Sequence, residues 1–162
     1  GIMGIIEIKE ELKNLNVFAN NKNEEEYKRI SNTLDEHFKG VNIDDYFIYS
    51  DYNILESQEY LIIWILAGNN IIELSFVVDA SRIDYIKLDT IRRIEYKEWE
   101  ARTENETTLP PSINYIFYHD VGMIKGGDGS LTGVATFIVA EGKEISKLKR
   151  FGEKIRKKVL SI

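Results

Sequence analysis

Tyr60 to Asp79, YLIIWILAGNNIIELSFVVD, is the stretch that most limits what this chain can become. It is nearly long enough and apolar enough to span a bilayer. Three residues in its middle argue otherwise. Gly68, Asn69 and Asn70 are turn formers that tolerate positive φ. After them the pattern alternates. Ile72, Leu74, Phe76 and Val78 share one face, and Glu73, Ser75, Val77 and Asp79 the other. Before the turn, Tyr60 to Ala67 is apolar on both faces, as in a central strand covered on both sides. The stretch therefore reads as a β-hairpin in the middle of an antiparallel sheet.

The flanking segments supply helices at both ends. Ile5, Ile8, Leu12 and Leu15 have helical spacing, although Ile6 and Ile8 would equally start a short strand. Asn23 is placed to cap a helix whose first turn holds Glu24, Glu25 and Glu26, with Glu26 at the capping-box position. Tyr27, Ile30, Leu34 and Phe38 form its apolar stripe, and Gly40 ends it. Strands are expected at Tyr46 to Tyr52, Arg82 to Leu88, Ile91 to Trp99, Ile113 to His119 and Val134 to Ala140. Arg102 to Ser112, polar and holding both prolines, reads as a mobile connection. Gly122 to Gly133 reads as a long glycine-rich hairpin loop, with Gly126, Gly127, Asp128 and Gly129 as its flexible centre. Glu141 to Leu160 is an amphipathic helix with Ile145, Leu148, Phe151, Ile155 and Val159 on its apolar side. Gly152 beside that stripe costs about 1 kcal/mol relative to Ala, which a close approach of helix to sheet explains. The expected fold is α+β in one domain of residues 1–162. Residues 1–40 form a helical N-terminal extension. Residues 45–162 form a strongly bent antiparallel sheet or barrel of about seven strands, closed by the C-terminal helix.

Charge and composition exclude several functions. The 162-residue chain has a net charge of −6, which argues against general nucleic-acid binding. The charge is uneven: from Glu141 onward eight Lys/Arg face three Glu, giving +5, while the rest carries −11. Without cysteine there is no disulfide framework and no thiolate chemistry. No basic segment followed by a long apolar run stands near the N-terminus, so a cytoplasmic protein without a transmembrane segment is expected. Richness in Ile, Lys, Asn and Glu suggests a low-GC, bacterial source.

No catalytic constellation is legible. In GMIKGGDGSLTG (Gly122 to Gly133) a phosphate-binding P-loop fails because Asp128 stands where its Lys belongs. The dinucleotide fingerprint fails at Thr132, and a nucleophile elbow fails because Asp128 and Thr132 flank Ser130. His119 and Asp120 are strand neighbours that point to opposite faces, so they make a poor acid–base pair. His37 is explained by its place at a helix C-terminus. Two isolated histidines give no metal site, and no catalytic residue, cofactor or metal is assigned. The most defensible interaction surface is the basic side of the last helix, Lys147, Arg150, Lys154, Lys157 and Lys158. An acidic protein partner suits it, and a peripheral contact with anionic lipid is the alternative.

Strand order and Tyr85-Ile86-Lys87-Leu88-Asp89-Thr90-Ile91-Arg92-Arg93-Ile94-Glu95-Tyr96 give a resemblance. This segment looks like the strand, Leu-Asp-x-Ile, strand passage of bacterial pleckstrin-homology-like (PH-like) domains. The resemblance covers roughly Tyr46 to Leu160 and implies a non-enzymatic binding or scaffold module, with protein or peptide as partner. Asn53 to Glu59 contains no basic residue, so phosphoinositide binding is not carried over, and the helix tryptophan of many members is absent. The chain is also similar in order to the helix-grip fold of START-like proteins, if Ile5 to Ile8 is a strand. That fold implies a carrier or enzyme for a small hydrophobic ligand. A third reading is a homo-oligomer paired through a strand edge or the N-terminal helix.

Overall fold

The computed structural model describes residues 4–51, 58–125 and 131–161, and at 120–125 and 131–134 the description covers the backbone path. The chain forms two compact units, Gly1–Ile86 and Lys87–Ile162.

The first unit sets two helices on one antiparallel sheet. Helix α1 is Ile5–Lys13 and α2 is Glu24–Phe38. Strands β1 (Asp45–Ser50), β2 (Leu61–Ala67), β3 (Asn70–Val77) and β4 (Ala80–Lys87) follow as a meander in the order β1-β2-β3-β4. The Tyr60 to Asp79 stretch is the β2–β3 hairpin at the centre of this sheet. Gly68 turns at φ 58°, and Ala67 pairs with Asn70 across the turn. Leu61, Ile63 and Ile65 of β2 pack with Ile72, Leu74 and Phe76 of β3, with Ile8 and Leu12 of α1, and with Ile30, Leu34 and Phe38 of α2. Each such side chain fully removed from water contributes roughly 1.5–3 kcal/mol. On the opposite face Phe47, Trp64, Leu66 and Ile71 are buried too, as the doubly apolar pattern of β2 predicts.

The second unit sets one helix on a three-stranded antiparallel sheet. Its strands are β5 (Ile91–Trp99), β8 (Ser112–Lys125) and β9 (Leu131–Glu141), in the order β5-β8-β9. Between β5 and β8 lies a small hairpin, β6 (Arg102–Glu104) and β7 (Thr107–Leu109). After β9 a short 3-10 turn leads into α3, Ile145–Leu160.

The α+β class, the antiparallel sheets and the C-terminal helix agree with the sequence. Five details differ. The strands form three separate sheets, none closed among the described residues, so the barrel alternative does not hold. The described strands number nine rather than about seven. Arg102 to Ser112 gains a hairpin because Asn105 and Glu106 both adopt positive φ, 48° and 65°, which gives a two-residue turn. Ile5 to Ile8 is helical, which removes the strand that the helix-grip order needs. Finally, Asn23 sits at the cap position of α2 but does not cap: its amide donates to the Val17 carbonyl at 2.8 Å, which takes it away from the helix N–H groups.

Candidate functional site

Alternation along β8 and β9 gives the second unit's sheet two unlike faces. Ile113, Tyr115, Phe117 and His119 of β8 are buried, as are Thr136, Ile138 and Ala140 of β9. This is the face under α3, where Leu148, Phe151 and Ile155 are buried. Tyr115 is its centre, stacked on Phe117 with centroids 5.8 Å apart and tilted against Tyr96 at 4.9 Å. A Cβ built on Gly152 would lie 2.7 Å from Tyr115 Cδ2 and nearer still to Cε2 and Cζ. Only glycine lets the helix sit this close, which accounts for its cost within α3.

Tyrosine–carboxylate pairs line the margin of this face. Tyr115 donates to Glu153 at 3.2 Å, and Arg156 donates to the same carboxylate at 2.8 Å. The Arg156 hydrogen bond and charge hold Glu153 below its usual pKa, against the opposing effect of burial. Tyr96 donates to Glu98, which Lys149 approaches at 3.7 Å. Burial first, and then the Glu98 carboxylate, push the Tyr96 hydroxyl up to about 12. These phenols stay protonated at neutral pH and act as donors, not bases.

The other face is open. On it lie Arg93, Glu95, Lys97 and Trp99 of β5, then Asn114, Ile116 and Tyr118 of β8, then Ala135, Phe137 and Val139 of β9. Phe137 pairs in register with Ile116, and Ile116 with Glu95, so these three form one transverse row. Phe137 is 52% exposed and Trp99 47%. Two of the aromatics carry arginines: Arg93 lies 4.8 Å over the Tyr118 ring and Arg102 lies 5.0 Å over Trp99. Tyr118 donates to Glu95 at 3.1 Å, and Arg93 and Lys97 approach Glu95 at 3.9 and 3.7 Å. The polar groups around Glu95 are thus paired with one another, and the exposed aromatics flank them, Phe137 on β9 and Trp99 at the end of β5.

Lys147, Arg150, Lys154, Lys157 and Lys158 do fall together, within an arc of about 100° along one flank of α3 at 3.6 residues per turn. Lys147 pairs with Glu144 at 3.3 Å, and Arg150, Lys154 and Lys158 are also engaged by neighbours, so this flank is not a row of free charges. Gly126, Gly127, Asp128 and Gly129 lie outside the described residues. Part of the segment expected as a loop, Gly122 to Gly133, is paired strand: β8 and β9 keep pairing from Met123–Gly133 to Lys125–Leu131. A register shift between His119 and Met123 lets both strands run on.

His119 is buried, with Nε2 2.6 Å from Thr136 Oγ1 and Nδ1 3.3 Å from Thr90 Oγ1. Burial lowers its pKa and favours the neutral ring. With both nitrogens on threonine hydroxyls it joins Thr90, in the short 3-10 turn Leu88–Thr90 before β5, to β8 and β9, and is a structural residue. Among the described residues no group of three or more His, Asp or Glu is placed to hold a metal, and no helix is long and apolar enough to cross a membrane. Comparison with known proteins finds no matching family model, no matching curated protein and no matching solved structure.

Proposed function

We propose that this chain is a non-enzymatic binding module that docks the folded surface of another protein on the open face of the β5-β8-β9 sheet. The observation that carries the reading is Phe137, half exposed on β9 in the row that runs through Ile116 to Glu95, on the same face as the arginine-covered Tyr118 and Trp99. Trp, Tyr and Arg are the residue types that dominate protein interfaces, and this face holds Trp99, Tyr118, Arg93 and Arg102. Its charges are of both signs and pair among themselves. That mixture suits a protein surface better than a phosphate backbone or an anionic bilayer, which call for a one-signed patch.

A PH-like domain remains the fold-level part of this proposal. It is supported by the chain order: four meander strands, three further strands, then a terminal helix one short turn after the last strand. The β6–β7 hairpin is an insertion in that order.

The test begins with partners retained by the immobilised chain from cells of its source. Each is purified and measured directly against wild type, Phe137→Asp and Trp99→Asp. A true partner binds at least about tenfold more weakly to both variants, a loss of roughly 1.4 kcal/mol each. Equal binding to all three chains overturns the proposal. So does wild-type self-association that Phe137→Asp abolishes, because the occupant is then a second copy.

A further inference from the structure

A half-open cleft in the first unit combines cations with aromatic side chains. It opens where α1 ends, at the turn into α2, and has a volume of about 370 Å³. That is at the small end of ligand pockets, roughly 300–1,000 Å³. Phe18 and Tyr27 form its aromatic wall, edge to face with centroids 5.7 Å apart. Lys13, Lys22 and Lys28 surround it, and Glu24 is the one carboxylate in its lining. The cleft is therefore locally +2 on a chain whose net charge is −6. Lys13 holds its ammonium 5.8 Å from the Tyr27 ring centroid. Among the described residues neither Lys13 nor Lys22 has an ion-pair partner, and Lys28 reaches Glu25 only at 3.7 Å.

A left-handed turn forms one side of the cleft and runs on to Asn23. Asn20, Asn21 and Asn23 all have positive φ, at 57°, 60° and 52°. Asparagine takes up this left-handed conformation readily, so the turn is set by local sequence. The turn leaves Asn20 and Asn21 on the cleft lining with the lysines.

We infer that this cleft binds a small free anion with a planar ring, of nucleoside-monophosphate size. The phosphate or carboxylate lies between Lys13 and Lys22, the ring lies against Tyr27, and Asn20, Asn21 and Glu24 meet polar groups at the ring edge. The chemistry needs both halves. The lysines alone would take any anion, and the tyrosine alone any ring.

The experiment is an amide NMR titration of the whole chain with adenosine 5′-monophosphate, adenosine, inorganic phosphate and a phosphotyrosine peptide. The nucleotide should bind with a Kd of about 1 mM or tighter and shift the amides of Asn21, Lys22 and Tyr27, and adenosine and phosphate should each bind about tenfold more weakly. The paired change Lys13→Gln and Lys22→Gln should weaken the nucleotide about tenfold at unchanged Tm, since both side chains lie at the surface. Tyr27→Leu should reduce the nucleotide to the affinity of phosphate. Absence of shifts at these amides overturns the inference, as does wild-type affinity in the paired lysine variant. A phosphotyrosine peptide that binds more tightly than the nucleotide overturns the assignment to a free small molecule.

Discussion

Replacing Gly152 by alanine should destabilise the protein, against the rule for helix interiors. Helix propensity alone favours Ala over Gly by about 1 kcal/mol. Here the added methyl meets the Tyr115 ring, with Cδ2 at 2.7 Å and two further ring atoms closer. Ordinary van der Waals separation between carbons is about 3.5–4.0 Å, so helix and ring must part by roughly 1 Å. The ring cannot yield cheaply. It is 2% exposed, is stacked on Phe117 and tilted against Tyr96, and donates to Glu153. Overpacking of this kind costs typically 1–3 kcal/mol, and the larger end applies because the obstacle is a fixed ring. Net of propensity, Gly152→Ala should lose about 1–2 kcal/mol. For a chain of this length that lowers Tm by roughly 2–8 °C. Urea unfolding and calorimetry read it directly. The decisive comparison is a double-mutant cycle with Tyr115→Ala. Without the ring, Gly152→Ala should be neutral or stabilising by up to about 1 kcal/mol. A single Gly152→Ala variant that melts above wild type would refute the close-approach argument.

Further predictions concern both units. Tyr60 donates to Glu26 at 2.8 Å while Arg29 grips the same carboxylate in a bidentate pair at 2.8 and 3.2 Å. Burial works to raise the Glu26 pKa, but the hydrogen bonds from Arg29 and Tyr60 outweigh it and hold the carboxyl low. Tyr60→Phe should therefore cost about 1.5 kcal/mol in urea unfolding, as for a hydrogen bond to a charged group; a loss below about 0.5 kcal/mol contradicts this role. His119 has a folded pKa below its unfolded value of about 6.5, so the unfolded chain takes the proton first. Its contribution is complete above that pH and is lost as pH falls toward the folded pKa. His119→Gln, which keeps amide groups near Thr90 and Thr136, should flatten the fall in stability just below pH 6.5; an unchanged slope would place the titration elsewhere. Phe137→Asp should change stability by no more than about 0.5 kcal/mol, because the side chain is half in water on the open face.

Much of the fold was legible because its signals are local. The β2–β3 hairpin follows from one glycine and two asparagines between apolar runs, and α2 and α3 follow from their 3.6-residue stripes. The close approach at Gly152 was readable as a glycine out of place in a helix. The β6–β7 hairpin was not, since Asn105-Glu106 is not a strong turn pair and two prolines follow it. Asn23 misled because a residue that can cap can equally donate elsewhere, and the Val17 carbonyl is supplied only by the folded loop. The open sheet face was hidden because, Thr136 apart, Ala135 to Ala140 is apolar in both phases: Ala135, Phe137 and Val139 alternate with Thr136, Ile138 and Ala140. Nothing local says which set faces water. The lysines of the α1–α2 cleft are spread over sixteen positions, from Lys13 to Lys28, and only the left-handed turn brings them together.

The most direct test of the central claim is the dissociation constant of a purified partner for wild type, for Phe137→Asp and for Lys154→Ala on α3. The account predicts at least about a tenfold loss for Phe137→Asp and less than about a twofold change for Lys154→Ala. The reverse pattern, with binding lost at Lys154 and intact at Phe137, would contradict it and move recognition to the α3 cations.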